Sequence, residues 1–130
     1  MDFLWSPWRL EYVTGNKPDT GCVFCDAPRP PNPDSLIVFE RKTCYVILNL
    51  YPYNNGHLMV VPNRHIGSLA ELDDAALAGA LLGACAEAAR QAGLVNGYRV
   101  VANVGADGGQ SVGHLHFHVL GGRAMSWPPG

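Results

Sequence analysis

From Leu72 to Ala88 the apolar residues Leu72, Ala76, Leu77, Ala80, Leu81, Ala84, Cys85 and Ala88 recur three or four positions apart. That is the period of one face of an α-helix. Gly93 supplies a C-terminal stop, so the pattern predicts one long helix over about 71–92. Ser68-Leu69-Ala70-Glu71 reads as a capping box at its start, with Asp73 as a competing N-cap. Gly79 and Gly83 lie four apart on this helix and have two readings: small residues tolerated against the sheet, or a close contact with a partner subunit's helix. Elsewhere the apolar runs are short and rich in β-branched and aromatic residues. Leu36–Glu40 and Thr43–Asn49 suit a hairpin turning at Arg41-Lys42, and His57–Pro62 follows the turn PYNNG. Gly97–Val104 and His114–Leu120 come after the helix. Strands first, one helix, then two strands predict an α+β fold: about five antiparallel strands packed against one long helix. A short helical or irregular segment, with helical character around Trp5–Val13, precedes it.

A chain of 130 residues has the size of one domain, here 1–130, with 1–21 as an N-terminal extension and 22–130 as the core. Hydrophobic residues at 48% and charged residues at 15% support a real core. The net charge of −2 argues against a broad electrostatic footprint for nucleic acid or an anionic membrane. No apolar run approaches the roughly 20 residues that span a bilayer, and the first ten residues lack a charged-then-apolar signal pattern. A cytoplasmic location is expected. Without a secretion signal, two disulfides among the four cysteines are the weaker reading. Cys44 and Cys85 stand alone in apolar settings and read as inert core thiols.

The candidate chemistry sits in the last strand. His114, His116 and His118 alternate with Leu115, Phe117 and Val119. On a strand the three imidazoles share one face, about 6–7 Å apart, while the apolar set turns towards the helix. A core strand needs the second set and not the first. Two chemistries fit: imidazoles as zinc ligands, or a histidine nucleophile with acid/base support. Just upstream, Gly105–Gly113 (GADGGQSVG) can turn backbone N–H groups towards an anion, and Ser111 adds a hydroxyl. Histidine beside a phosphate cradle points to attack on phosphorus.

The run HLHFHVL (His114–Leu120) resembles the His-x-His-x-His signature of the histidine triad superfamily of nucleotide hydrolases and transferases. Arg99–Gly130, ending in Gly-Gly-Arg and Trp-Pro-Pro-Gly, resembles the branch called histidine triad nucleotide-binding proteins. Asn49–Ile66 is similar to that family's first nucleotide-binding stretch, and the resemblance covers about residues 20–130. It implies that His116 is the nucleophile, forming a nucleotidyl-imidazole on the α-phosphate, and that His118 contacts the phosphate and assists the leaving group. It implies further that Asn49 holds the ribose hydroxyls, that Asn103, Gly109, Gln110, Ser111 and Val112 bind or orient the phosphate, and that His57 stands behind the triad. Phe39, Ile47 and Leu48 are candidates to flank the base, although core packing is the simpler reading of each. A purine nucleotide substrate, a homodimer and no catalytic metal follow from the same resemblance.

Cys22-Val23-Phe24-Cys25 is a C-x-x-C without the following helix that a thioredoxin-like site needs, because Pro28 intervenes. Zinc is the better reading. Some members of the superfamily hold a structural zinc, and the matching positions here are Cys22, Cys25, His65 and His114. Leu4–Val13, with its two tryptophans Trp5 and Trp8, looks more like relatives that cleave diadenosine tetraphosphate, whereas the C-terminus looks like the phosphoramidate-cleaving branch. The expected activity is nucleoside phosphoramidate hydrolysis releasing AMP or GMP. The alternatives are a diadenosine polyphosphate hydrolase or phosphorylase and, from a different class, a nucleotide-binding regulatory module with little turnover. A hydrolase using the triad itself as zinc ligands is a further reading.

Overall fold

The computed structural model describes residues 21–28, 36–49 and 57–126. The expected helical character around Trp5–Val13, and the roles of Trp5 and Trp8, lie outside the described residues. The chain forms a short helix α1 (Val23–Asp26), strands β1 (Ile37–Glu40), β2 (Cys44–Leu48) and β3 (Leu58–Pro62), a 3-10 turn (Leu69–Glu71), the long helix α2 (Ala75–Gln91), and strands β4 (Tyr98–Val101) and β5 (Phe117–Gly121). The five strands make one antiparallel sheet in the order β1-β2-β3-β5-β4. The α+β expectation holds. No helix among the described residues is long and apolar enough to cross a membrane.

The core has two layers because the central strands are covered on both faces. Towards α2, Cys44, Val46, Leu58, Val60, Phe117 and Val119 meet Leu77, Leu81, Ala84, Cys85, Ala88 and Ala89. Alanines on the inner face of α2 let its backbone lie close to the sheet, and the buried positions keep the predicted helical spacing. On the opposite face Tyr45, Ile47, Met59 and Val61 pack with Phe24 and Ala27 of the α1 segment. This explains why β3 is continuously apolar rather than alternating: all five of its residues are buried.

Two helix caps and one strand register differ from the pattern-based expectation. Ser68 caps the 3-10 turn, its Oγ accepting from Ala70 N–H at 3.2 Å, and the chain extends at Leu72 before helix α2 begins. The cap of α2 is Asp74 and not Asp73; its Oδ1 accepts from Leu77 N–H at 3.0 Å. At the other end Gly93, with φ of +73°, stops the helix as expected. A β-bulge between Ile37 and Phe39 reverses the facing of β1. Ile37 therefore packs on the α1 side and Phe39 on the α2 side, where Arg41 lies over its ring. Phe39 thus leaves the set of residues that could flank a base. Gly79 and Gly83 sit on the exposed face of α2, and a Cβ at Gly79 would meet nothing within 4 Å. They do not pack against the sheet.

Candidate active site and metal centre

Strand β5 begins at Phe117, so of the three alternating histidines only His118 lies in the ladder. The expected single strand face is corrected by the hydrogen bonding upstream. Leu115 N–H donates to Ile66 O at 2.6 Å, which ties this stretch to the loop after β3 and not to a neighbouring strand. The three rings consequently serve two adjoining groups. His116 and His118 stay together, with ring centroids 5.0 Å apart, while His114 turns into a cysteine–histidine cluster.

Each ring is held in a definite tautomer by its partners. His116 Nδ1–H donates to the carbonyl of His114 at 2.8 Å, which places the lone pair on Nε2. His118 is backed by a buried chain: the Asn49 amide donates from Nδ2 to His57 Nδ1 at 2.7 Å, and His57 Nε2–H donates to His118 Nδ1 at 3.0 Å. With the amide in that orientation, the proton of neutral His118 resides on Nε2. A lone pair on His116 and a proton on His118, side by side, could serve as nucleophile and acid. The sequence placed His57 behind the triad, and it lies there. Asn49 is 5% exposed with its amide on His57, so its first contact is with the histidine chain.

Val112, at the end of the glycine loop, packs against the apolar cluster that contains Phe24. Gly109 N–H and Gln110 N–H close the loop's turns onto Ala106 O and Gly105 O, both at 3.1 Å. The Gln110 side chain is a staple: Oε1 accepts from Gly105 N–H, and Nε2 donates to Val112 O at 2.8 Å and to Gly67 O at 2.7 Å. These groups hold the loop's shape. Ser111, Val112 and Asn103 are half-buried along the same stretch. Ile47 packs with Val23, Leu36, Ile37 and Val112 around Phe24, whereas Leu48 is exposed.

Cys22, Cys25, His65 and His114 bring one ligand atom each to within 4.8 Å of one another. His114 Nδ1 lies 3.2 Å from Cys22 Sγ, 3.5 Å from Cys25 Sγ and 3.2 Å from His65 Nδ1, and Cys25 Sγ lies 3.2 Å from His65 Nδ1. A tetrahedral zinc with ordinary bond lengths would space such ligands by roughly 3.4–3.8 Å, so small shifts, outward for the close pairs and inward for any towards the 4.8 Å limit, would accommodate one. The donor chemistry agrees. His114 Nε2–H donates to Pro62 O at 2.9 Å, leaving Nδ1 as a lone pair aimed at the cluster. Cys25 N–H donates to Cys22 Sγ at 3.3 Å. Burial, reinforced by the nearby His65, lowers the His114 pKa below the usual imidazole value; the hydrogen bond to Pro62 opposes this in part. Cys44 and Cys85 differ: burial raises both thiols, Cys85 to about 11, and they remain inert core groups.

The depressed His114 pKa has a consequence for stability. Below about pH 6.5 the unfolded chain binds the proton more readily than the native one, so stability of the metal-free protein falls as pH drops towards the native pKa. Above that window the contribution is flat. Urea midpoints of metal-free protein at pH 7.5 and 5.5 should show a larger acid loss in the wild type than in His114→Asn, whose side chain does not titrate.

A sheet of this order backed by a single helix, with His114, His116 and His118 leading into its last strand, is the architecture of a histidine triad domain. The HIT domain family model matches residues 31–125, and the chain belongs to the HIT family. It is 44% identical over 96 residues to a HIT-like protein of Synechococcus elongatus, covering 72% of this chain and 84% of that one. Among solved structures it is similar to a HIT family hydrolase from Legionella pneumophila, with 38% identity, a TM-score of 0.77, and coverage of 84% of this chain and 99% of the other. A Zn-bound histidine triad family protein from Mycobacterium smegmatis is 32% identical with a TM-score of 0.67, over 82% and 78% of the two chains. A histidine triad nucleotide-binding protein from Candida albicans is 25% identical with a TM-score of 0.68, over 84% of each.

Two contacts that shape the site carry no motif. Phe24 packs on both His114 and His116, and the Gln110 amide ties the glycine loop to Gly67. The only sequence hint for the first is an aromatic residue inside a C-x-x-C, and for the second a glutamine inside a glycine run.

Proposed function

We propose that this protein is a nucleotide hydrolase that cleaves nucleoside phosphoramidates, releasing AMP or GMP through a nucleotidyl-His116 intermediate. The observation that carries the reading is the fixed proton order: His116 presents a lone pair at Nε2 beside a His118 that holds a proton at Nε2. In the first step His116 Nε2 attacks the α-phosphorus, the P–N bond to the amine breaks, and the amine leaves with the proton of His118. In the second step water attacks the same phosphorus, His118 takes its proton back from that water, and the bond to His116 breaks. The N–H groups of Ser111 and Val112, in a loop held by Gln110, would offset charge developing on the phosphoryl oxygens. Asn103 and the Ser111 hydroxyl orient the phosphate, with Gly109 and Gln110 shaping the turn. Val23, Leu36, Ile37 and Ile47 offer apolar surface to a purine base.

Zinc bound by Cys22, Cys25, His65 and His114 would have four protein ligands and no open position, so its role would be structural. A homodimer is supported by β4, an edge strand whose exposed residues include Tyr98 and Val100, and by the open glycine face of α2. The N-terminal resemblance favours diadenosine polyphosphates as the second substrate reading. Separate incubation with adenosine phosphoramidate and diadenosine tetraphosphate, with and without inorganic phosphate, tests the choice. Faster AMP release from the phosphoramidate, unchanged by phosphate, is expected. Preferential cleavage of the dinucleotide, or phosphate-dependent ADP formation, would assign the second reading. Tight nucleotide binding without turnover of either would mark a regulatory binding module.

A further inference from the structure

Phe24 lies between the two cysteines of the metal cluster, is 3% exposed, and touches both functional groups of histidines at once. Its ring centroid is 5.0 Å from that of His116 and 5.8 Å from that of His114. The backbone of Phe24 is fixed from three directions. Its carbonyl accepts from the hydroxyl of Tyr45, a fully buried residue of β2, and the flanking Cys22 and Cys25 reach into the cluster. His114 supplies a second link, because its ring joins the cluster while its own carbonyl accepts from His116 Nδ1–H. The nucleophile is therefore tethered at Nδ1 by one residue of the cluster and braced on its ring by the residue between two others.

We propose that Phe24 is a positioning residue for His116, an aromatic wedge through which occupancy of the Cys22/Cys25/His65/His114 cluster by a divalent metal sets the orientation of the nucleophile. This deepens the functional reading above and rests on it for the role of His116. The hydrogen bond at Nδ1 fixes one point of the His116 ring, and the Phe24 ring, tilted 49° to it, adds a packed contact that limits rotation about that point. In-line attack tolerates little misplacement, and an error of about 1 Å can cost on the order of 100-fold in rate. Phe24 offers almost no surface to a ligand, so its loss should act on kcat and not on substrate binding.

The test uses the whole chain labelled with 15N at histidine, at one fixed pH and without nucleotide. Zinc chloride is added to metal-free wild type and to Phe24→Leu, and the His116 ring nitrogens are followed by NMR. In the wild type one equivalent of zinc should shift the His116 ring-nitrogen signals while the form protonated at Nδ1 persists. Phe24→Leu should bind the same equivalent and leave the His116 signals where they stand in its metal-free form, with kcat reduced about 10- to 100-fold and KM changed less than threefold. A wild-type His116 that does not respond to zinc overturns the inference, and that measurement stands even if the variant fails to fold. So does a zinc-loaded Phe24→Leu with wild-type His116 signals or wild-type kcat. The NMR arm needs no substrate: absence of turnover in the wild type would count against the hydrolase reading, while the response of His116 to zinc would still decide the coupling.

Discussion

Replacing His116 by alanine should lower kcat for phosphoramidate cleavage by roughly 10⁴-fold or more, the scale seen when a covalent nucleophile is removed. Nucleotide affinity should change by less than about threefold, because the imidazole supplies a bond-forming lone pair and little ligand contact. Steady-state kinetics with calorimetric titration of AMP reads both quantities. His118→Ala should fall less far, by about 10²–10⁴-fold, since it loses proton transfer and keeps the nucleophile. On the proposed mechanism His57 and Asn49 would act through His118, because the chain Asn49–His57–His118 keeps its proton on Nε2. Equal activity in wild type and His116→Ala would remove the covalent mechanism altogether.

Loss of the metal should have the second large effect, and on stability. The cluster joins α1, the loop after β3 and the segment before β5, with Cys25 and His65 separated by 40 residues and Cys22 and His114 by 92. A metal there closes long loops in the chain and binds the native state alone. At a free concentration about 1,000 times its Kd, such a ligand adds about 4 kcal/mol. For a domain of this size that corresponds to a rise in Tm on the order of 15 °C. Thermal unfolding of zinc-loaded protein before and after chelation should show that drop, and Cys22→Ser should reproduce most of it without chelator. An unchanged Tm in protein verified to lose a full equivalent of zinc would contradict the assignment.

Much of this architecture is legible in the sequence because its signals are physical and repeated. The Leu77, Leu81, Ala84, Cys85 and Ala88 spacing identifies the inner face of α2, and Gly93 its end. The paired cysteines find His65 and His114 only through the family resemblance, since no local spacing links residues so far apart in the chain. What could not be read depends on backbone detail. The bulge after Ile37 breaks the two-residue alternation and sends Phe39 to the other face, a reversal that composition does not encode. Ser68 and Asp74 are both good caps, and the extended backbone at Leu72 assigns one to the 3-10 turn and the other to α2. The bond from Leu115 N–H to Ile66 O takes His114 and His116 out of the ladder, which separates the cysteine–histidine cluster from the His116–His118 pair within five residues.

The covalent step can be read directly from the stereochemistry of the α-phosphorus. A substrate made chiral at that atom with sulfur and isotopic oxygen passes through two in-line displacements if His116 attacks first and water second, each inverting the centre. The account predicts net retention of configuration in the released nucleotide. Net inversion would mean a single attack by water and would contradict it.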